Sequence, residues 1–118
     1  MEDHMEHENH LYILWTDDNP ITADKMMFMY GINSLKNGWW EQVTIIVWGA
    51  AAQLASRHLV VQQRIQEALA AGAKLTACKA CADQLGVTES LEGQGIEVEY
   101  LGEALTEILR SGKTLLTI

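Results

Sequence analysis

Lys74-Leu75-Thr76-Ala77-Cys78-Lys79-Ala80-Cys81-Ala82 is the stretch on which the reading of this chain turns. Ala73 to Ala77 forms a short run compatible with a strand, and Cys78 ends it. From Lys79 the residues are mostly helix formers, up to a stop at Gly86. The stretch therefore predicts a strand that ends in one cysteine, followed at once by a helix that begins near a second. These are the only two cysteines in the chain. A thiol at such a handover faces the first unpaired N–H groups of the helix, which makes it a chemical position.

The pattern repeats outward from this block. Leu11 to Thr16 is a nearly continuous apolar run, as expected of a strand buried on both faces. Asp17-Asp18-Asn19-Pro20 stops it, with Asn19 as N-cap and Pro20 at the first helical position. A helix is expected from Pro20 to Lys36, ended by Asn37-Gly38. Its segment Met26 to Tyr30 is apolar on all sides, so it requires cover on two faces. Gln42 to Trp48 is a second buried strand. Beyond Gly49, Leu54, His58, Val61, Ile65 and Ala68 follow helical spacing, with Ser56 or His58 as a possible break. Val87 to Gly95 is a connection with a helical turn capped by Thr88. Ile96 to Leu101 alternates apolar and acidic residues, as an edge strand does. Glu103 to Ser111 is a helix and Thr114 to Ile118 a last strand. Strands alternating with helices predict a three-layer α/β/α domain around a five-stranded, mostly parallel sheet.

Size and charge limit the function. The 118 residues favour one domain, expected over residues 11–118. Residues 1–10 read as a disordered acidic and histidine-rich tail without apolar periodicity. The tail holds four acids (Glu2, Asp3, Glu6, Glu8) and no Lys or Arg, about half of the net charge of −8. That balance argues against direct contact with nucleic acid or anionic membranes, which needs clustered Lys and Arg. The most apolar window, Val43 to Ala52, is too short to span a bilayer. With no basic and apolar leader before Leu11, a cytoplasmic protein is expected. In a reducing compartment a C-x-x-C is catalytic or metal-binding more often than a structural disulfide.

In an open parallel sheet, ligands bind beyond the carboxyl ends of the strands. Three segments should meet there: Thr16-Asp17-Asp18, Trp48-Gly49-Ala50 and Cys78-Lys79. Cys78 is the candidate nucleophile. A helix N-terminus or a nearby cation lowers a thiol pKa, so the Lys79 ammonium is the candidate stabiliser of sulfur anion. Thr16, Asp17, Trp48 and Gly49 are candidate pocket residues, although turn and capping duty also accounts for Asp17. Cys81 either resolves a mixed disulfide or packs under its helix, and His58 reads as a core histidine. His4, His7 and His10 recur every third residue and could hold a divalent metal if the tail turned helical. A solvated tail is the simpler expectation, and neither a metal site nor a cofactor is expected in the domain. G-x-G-x-x-G, P-loop and G-x-S-x-G motifs are absent.

The block Ala73 to Gly86, with its cysteine after a strand and a glycine eight residues on, resembles the DsrE/DsrF-like (TusD-related) sulfur-relay family. Val43 to Gly49, Gly95 to Val98 and Gly102 to Leu109 share that likeness, which spans roughly residues 11–118. The resemblance implies a DsrE-like domain of flavodoxin-like architecture and a sulfur carrier. Cys78 would hold sulfane sulfur as a persulfide and pass it between donor and acceptor proteins. It also implies a homo-oligomer, a trimer or hexamer, in keeping with the apolar helix over Met26 to Tyr30. Cys81 and Leu85 depart from the TusD type. Two other functions fit the residues: a dithiol redox or sensor protein using Cys78 and Cys81, and a non-catalytic oligomeric module that binds a ligand or metal.

Overall fold

The computed structural model describes residues 9–118. Strand β1 is His10–Trp15. Helix α1 covers residues 20–36 as an α-helical turn Pro20–Thr22, a π-helical segment Ala23–Met27 and an α-helix Phe28–Lys36. Strand β2 is Gln42–Val47, followed by α2, Ala50–Arg57, and α3, Leu59–Ala70. Strand β3 is Lys74–Cys78, α4 is Lys79–Leu85 and α5 is Thr88–Gly93. Strand β4 is Glu97–Glu99, α6 is Gly102–Arg110 and β5 is Thr114–Thr117. The expected tail is met by the structure only at its end. Asn9 is described, and His10 already opens β1, where its Nε2 lies 2.8 Å from the Thr44 hydroxyl. His4 and His7 fall outside the described residues.

The five strands run in the order β4-β3-β2-β1-β5, and every pairing is parallel. The sheet is thus wholly parallel rather than mostly so, with helices on both faces. One face carries Leu11, Ile13, Trp15, Ile45, Val47 and Leu75 into the main core, against Met27, Phe28, Leu54, Val61, Ile65 and Leu91. Trp15 meets Phe28 edge to face at a centroid distance of 5.4 Å. The other face carries Ile46 and Cys78, with Tyr12 and Leu14 beside them, against Leu101 and Ile108. A single helix, α6, supplies Ile108 there, with Leu101 as its N-cap.

Local chemistry explains the boundaries. The Asn19 side chain accepts from the amides of Ile21 and Thr22, so α1 begins at Pro20. Within α1 the Phe28 amide reaches back five residues to the Ala23 carbonyl, which makes the π-turn. Arg64 of α3 holds this turn from outside. Its Nε donates to Asp24 Oδ1 at 2.7 Å and its Nη2 to the Asp24 carbonyl at 2.9 Å. Burial works against the Asp24 carboxylate, but the Arg64 hydrogen bond and the charges of Lys25 and Arg64 prevail and hold its pKa below the usual value.

The stretch from Met26 to Tyr30 divides by face. Met27 and Phe28 are buried, whereas Met26 and Met29 are 43% and 41% exposed. The apolar wrap read from the sequence is therefore met on one side only. His58 is not a core histidine. It is the break between α2 and α3, with an extended backbone, and its Nδ1 accepts from the Val61 amide at 3.3 Å. Val87, not Thr88, is the N-cap residue of α5.

Candidate functional site

The carboxyl ends of β1, β2 and β3 lie level. Trp15 pairs with Val47, and Val47 with Ala77. The segments that leave them are fastened by the backbone. The Thr16 amide and hydroxyl both donate to the Ile118 carbonyl, at 2.7 and 3.0 Å. The Trp48 amide donates to Trp15 O at 3.0 Å. Gly49 then turns at φ 66 and ψ −138, a conformation that a side chain disfavours, and becomes the N-cap of α2. Its carbonyl accepts from the Ala52 amide at 3.0 Å and faces the Cys81 thiol at 3.8 Å.

Side chains alternate along β3, so Leu75 and Ala77 enter the main core while Lys74, Thr76 and Cys78 lie on the face toward α6. Cys78 ends the strand and is the N-cap residue of α4, and its side chain makes no capping hydrogen bond. It is 5% exposed and packs with Ile46, Leu101 and Ile108, with Trp48 and Cys81 alongside. Both cysteines are free thiols. The structure therefore brings together Cys78, Cys81, Trp48 and Gly49, with Thr16 adjoining at the Gly49 turn, where a Cβ on Gly49 would stand 3.8 Å from Thr16 O.

Two candidates face elsewhere. Asp17 is exposed and accepts the amide of Asn19, so it serves the turn into α1. Lys79 extends along its own helix to Asp83 Oδ2 at 2.9 Å, and its Nζ is 5.9 Å from the centre of the Tyr100 ring. The hydrogen bond and charge of Asp83 raise the Lys79 pKa. Hydrogen bonds from Thr88 and then Lys79 lower that of Asp83. The Lys79 charge is thus engaged by a carboxylate of its own helix. Thr88, Asp83 and Lys79 form a chain that pins α4 to the start of α5, beside Gly86, whose φ of 72 ends α4.

Glu99 was not among the sequence candidates. The register pairs Cys78 with Glu99 of β4, on the same face of the sheet. The alternation of Ile96 to Leu101 reveals that Glu99 has a face, but only the pairing shows that the face belongs to the thiol. Leu101 and Ile108, which cover Cys78, were likewise legible only as the end of a strand and as a helix residue.

Among the described residues no group of three or more His, Cys, Asp and Glu could hold a metal. No described helix is long and apolar enough to cross a membrane.

The family model of the DsrE/DsrF-like family matches residues 12–118. A conserved protein of unknown function from Bacteroides thetaiotaomicron, BT1422, is 41% identical in sequence. Its structure superposes with a TM-score of 0.92 over 93% of this chain and 95% of its own. The ychN protein of E. coli superposes with a TM-score of 0.65 at 15% identity, covering 92% of this chain and 97% of its own, a likeness of fold alone. No curated protein sequence matches the chain.

Proposed function

We propose, from the premise that this chain belongs to the DsrE/DsrF-like family, which is broadly involved in sulfur relay, that it carries sulfane sulfur on Cys78. The Cys78 thiolate attacks the outer sulfur of a donor persulfide. A new S–S bond forms at Cys78, the donor S–S bond breaks, and its electron pair leaves with the donor thiolate. The reverse exchange delivers the outer sulfur to an acceptor thiol. No net oxidant is needed in either direction. The observation that carries this reading is the position of Cys78, last in β3 at the carboxyl edge and first at the turn into α4.

The apolar cover from Ile46, Leu101 and Ile108 supports a protected persulfide, because it limits the access of water and of competing thiols. Trp48 and the Gly49 turn border this thiol, while Cys81 stands next to both. The decisive experiment is intact-protein mass after incubation with a sulfane donor, on wild type and Cys78→Ser. A gain of one sulfur by wild type alone supports the carrier. An equal gain by both removes Cys78 from the mechanism.

A second reading is favoured by one contact. Cys81 packs against the same cluster as Cys78, so a Cys78–Cys81 disulfide would give a redox switch instead. Cys81→Ser separates the two, since a carrier keeps its sulfur loading and a dithiol switch loses its redox response. The exposed Met26 and Met29 on α1 support a homo-oligomer, a trimer or hexamer as in the family resemblance. Sulfur donor and acceptor proteins are the further partners, and a reducing cytoplasm keeps both thiols available.

A further inference from the structure

A cleft of about 360 Å³ lies between the second face of the sheet and α6, within the range of small-molecule sites. Its floor is Tyr12, Thr44, Ile46 and Thr76, and its roof is Leu101, Leu105 and Ile108. Three of these, Ile46, Leu101 and Ile108, are the residues that Cys78 packs against. Thr76 and Glu99 both line the cleft, and they bracket the thiol. Cys78 is two residues beyond Thr76 on the same face, about 6.6 Å along the strand, and directly across from Glu99, about 5 Å away. The thiol therefore stands beside the Glu99 end of the cleft, packed against the lining residues Ile46, Leu101 and Ile108 without itself lining it.

The rim selects by charge. It carries two ammonium groups, Lys74 and Lys113, and two carboxylates, Glu99 and Glu107. Lys74 opens β3, roughly 13 Å from Cys78 along the strand, and Glu99 stands at the thiol end. The bond that Lys74 makes with Glu97 is long, 3.7 Å, with both side chains 57% exposed. Such a pair is weak and readily exchanged for a ligand carboxylate. A ligand that matches this rim bears both signs, with its ammonium toward Glu99 and its carboxylate toward Lys74, and has enough apolar body to lie between sheet and helix.

We propose that the cleft binds a peptide-sized zwitterionic thiol and that its persulfide is a direct sulfur donor to Cys78. This rests on the carrier reading above and specifies its donor as a small molecule. The step balances: Cys78 thiolate takes the outer sulfur of R–S–SH, giving Cys78–S–SH and R–S⁻.

The test uses glutathione persulfide and inorganic polysulfide as alternative donors, with loading rates read by intact mass, and S-methylglutathione as a non-transferring ligand read by chemical-shift titration. The expected result is shift changes on Thr76, Glu99 and Leu105 with S-methylglutathione. The rate ratio of glutathione persulfide to polysulfide should fall about tenfold in Lys74→Glu and in Glu99→Lys, the loss of one charge-assisted contact. Equal ratios in wild type and both variants, with Cys78 still the loaded residue, overturn the cleft and leave the carrier standing. Loading of Cys78 by neither donor removes the carrier and this proposal together. Shift changes confined to residues outside the cleft also overturn it.

Discussion

Cys78 and Glu99 are register partners on adjacent parallel strands, so the thiol at the end of β3 has a carboxylate as its nearest cross-strand neighbour. Trp48 and Cys81 lie in the same cluster as the thiol. The site is thus a sheet feature as much as a helix-terminus feature, and its properties depend on residues from β2, β3, β4 and α6.

The two thiols should differ in reactivity in an order set by their surroundings. Cys78 is the more buried, under α6, while Cys81 is only partly buried beside Gly49 O. With a bulky alkylating agent Cys81 should react first, and with a sulfane donor Cys78 should be loaded. Peptide mapping after limited exposure to each reagent checks this. The same preference for both reagents would contradict the assignment.

Removing the cover over the thiol should trade stability for access. Ile108 is buried against Cys78, and Ile108→Ala deletes three carbons from that contact. The loss is about 2–5 kcal/mol by the usual cost of such truncations. The alkylation rate of Cys78 should rise severalfold at temperatures where the fold persists. A urea midpoint and a rate measurement on one sample set report both.

Gly49 should not accept a side chain, and the reason is conformational. A Cβ there would meet Thr16 O at 3.8 Å, an ordinary contact, so space is not the obstacle. The backbone at φ 66 and ψ −138 is the obstacle. Gly49→Ala is expected to cost about 1–3 kcal/mol. It should also perturb the Cys81 thiol, whose partner is the Gly49 carbonyl. Thermal unfolding gives the first effect, and the alkylation rate of Cys81 the second.

The link from Thr88 through Asp83 to Lys79 makes part of the stability acid-sensitive. The pKa of Asp83 is held below its ordinary 3.8, by the Thr88 hydrogen bond first and then by Lys79. A depressed carboxylate stabilises the fold fully above its unfolded pKa, and the contribution is lost as pH falls through the depressed value. Asp83→Asn should therefore lower the urea midpoint at pH 6, and the gap to wild type should narrow as pH falls below the carboxylate's ordinary 3.8. A gap that widens on acidification would have the wrong sign for this linkage.

The exposed side of α1 should be an assembly surface. Met26→Glu with Met29→Glu introduces two charges on side chains that are 43% and 41% exposed, with Met27 and Phe28 untouched in the core. The variant should keep its fold by circular dichroism and run as a smaller species in analytical ultracentrifugation. Identical sedimentation of wild type and variant would exclude this face.

Much of the fold could be read from the chain because its signals are local. Asn19-Pro20, Gly72, Gly86 and Gly112 punctuate the helices where the structure has its boundaries, and the apolar runs of β1 and β2 announce a sheet covered on both faces. The thiol position was legible for the same reason. What remained hidden depends on pairing. Nothing in Ile96 to Leu101 says that β4 lies beside β3, so Glu99 could not be joined to Cys78. Lys79 was drawn toward the sulfur by proximity in sequence, whereas Asp83, four residues on and one helical turn away, offers its ammonium a full charge at 2.9 Å. The histidine at position 58 could be read both as a core residue on a helical stripe and as a break, and only its ring, which accepts the Val61 amide, decides for the break.

The π-turn of α1 also bears on how this region tolerates insertions and deletions. A π-turn is a helix that has absorbed one extra residue without shifting the turns that follow. Phe28–Lys36 keeps its packing while Pro20–Thr22 sits about 100° further round than an uninterrupted helix would put it. Deleting one residue from Ala23–Met27 would leave the packed half of α1 intact and turn the π-turn into ordinary helix, with Ile21 kept in its present phase. Arg64, through its two bonds to Asp24, opposes that reset. Arg64→Met together with the deletion should therefore be better tolerated than the deletion alone, so that one guanidinium from a different helix decides how many residues the first turn of α1 can hold.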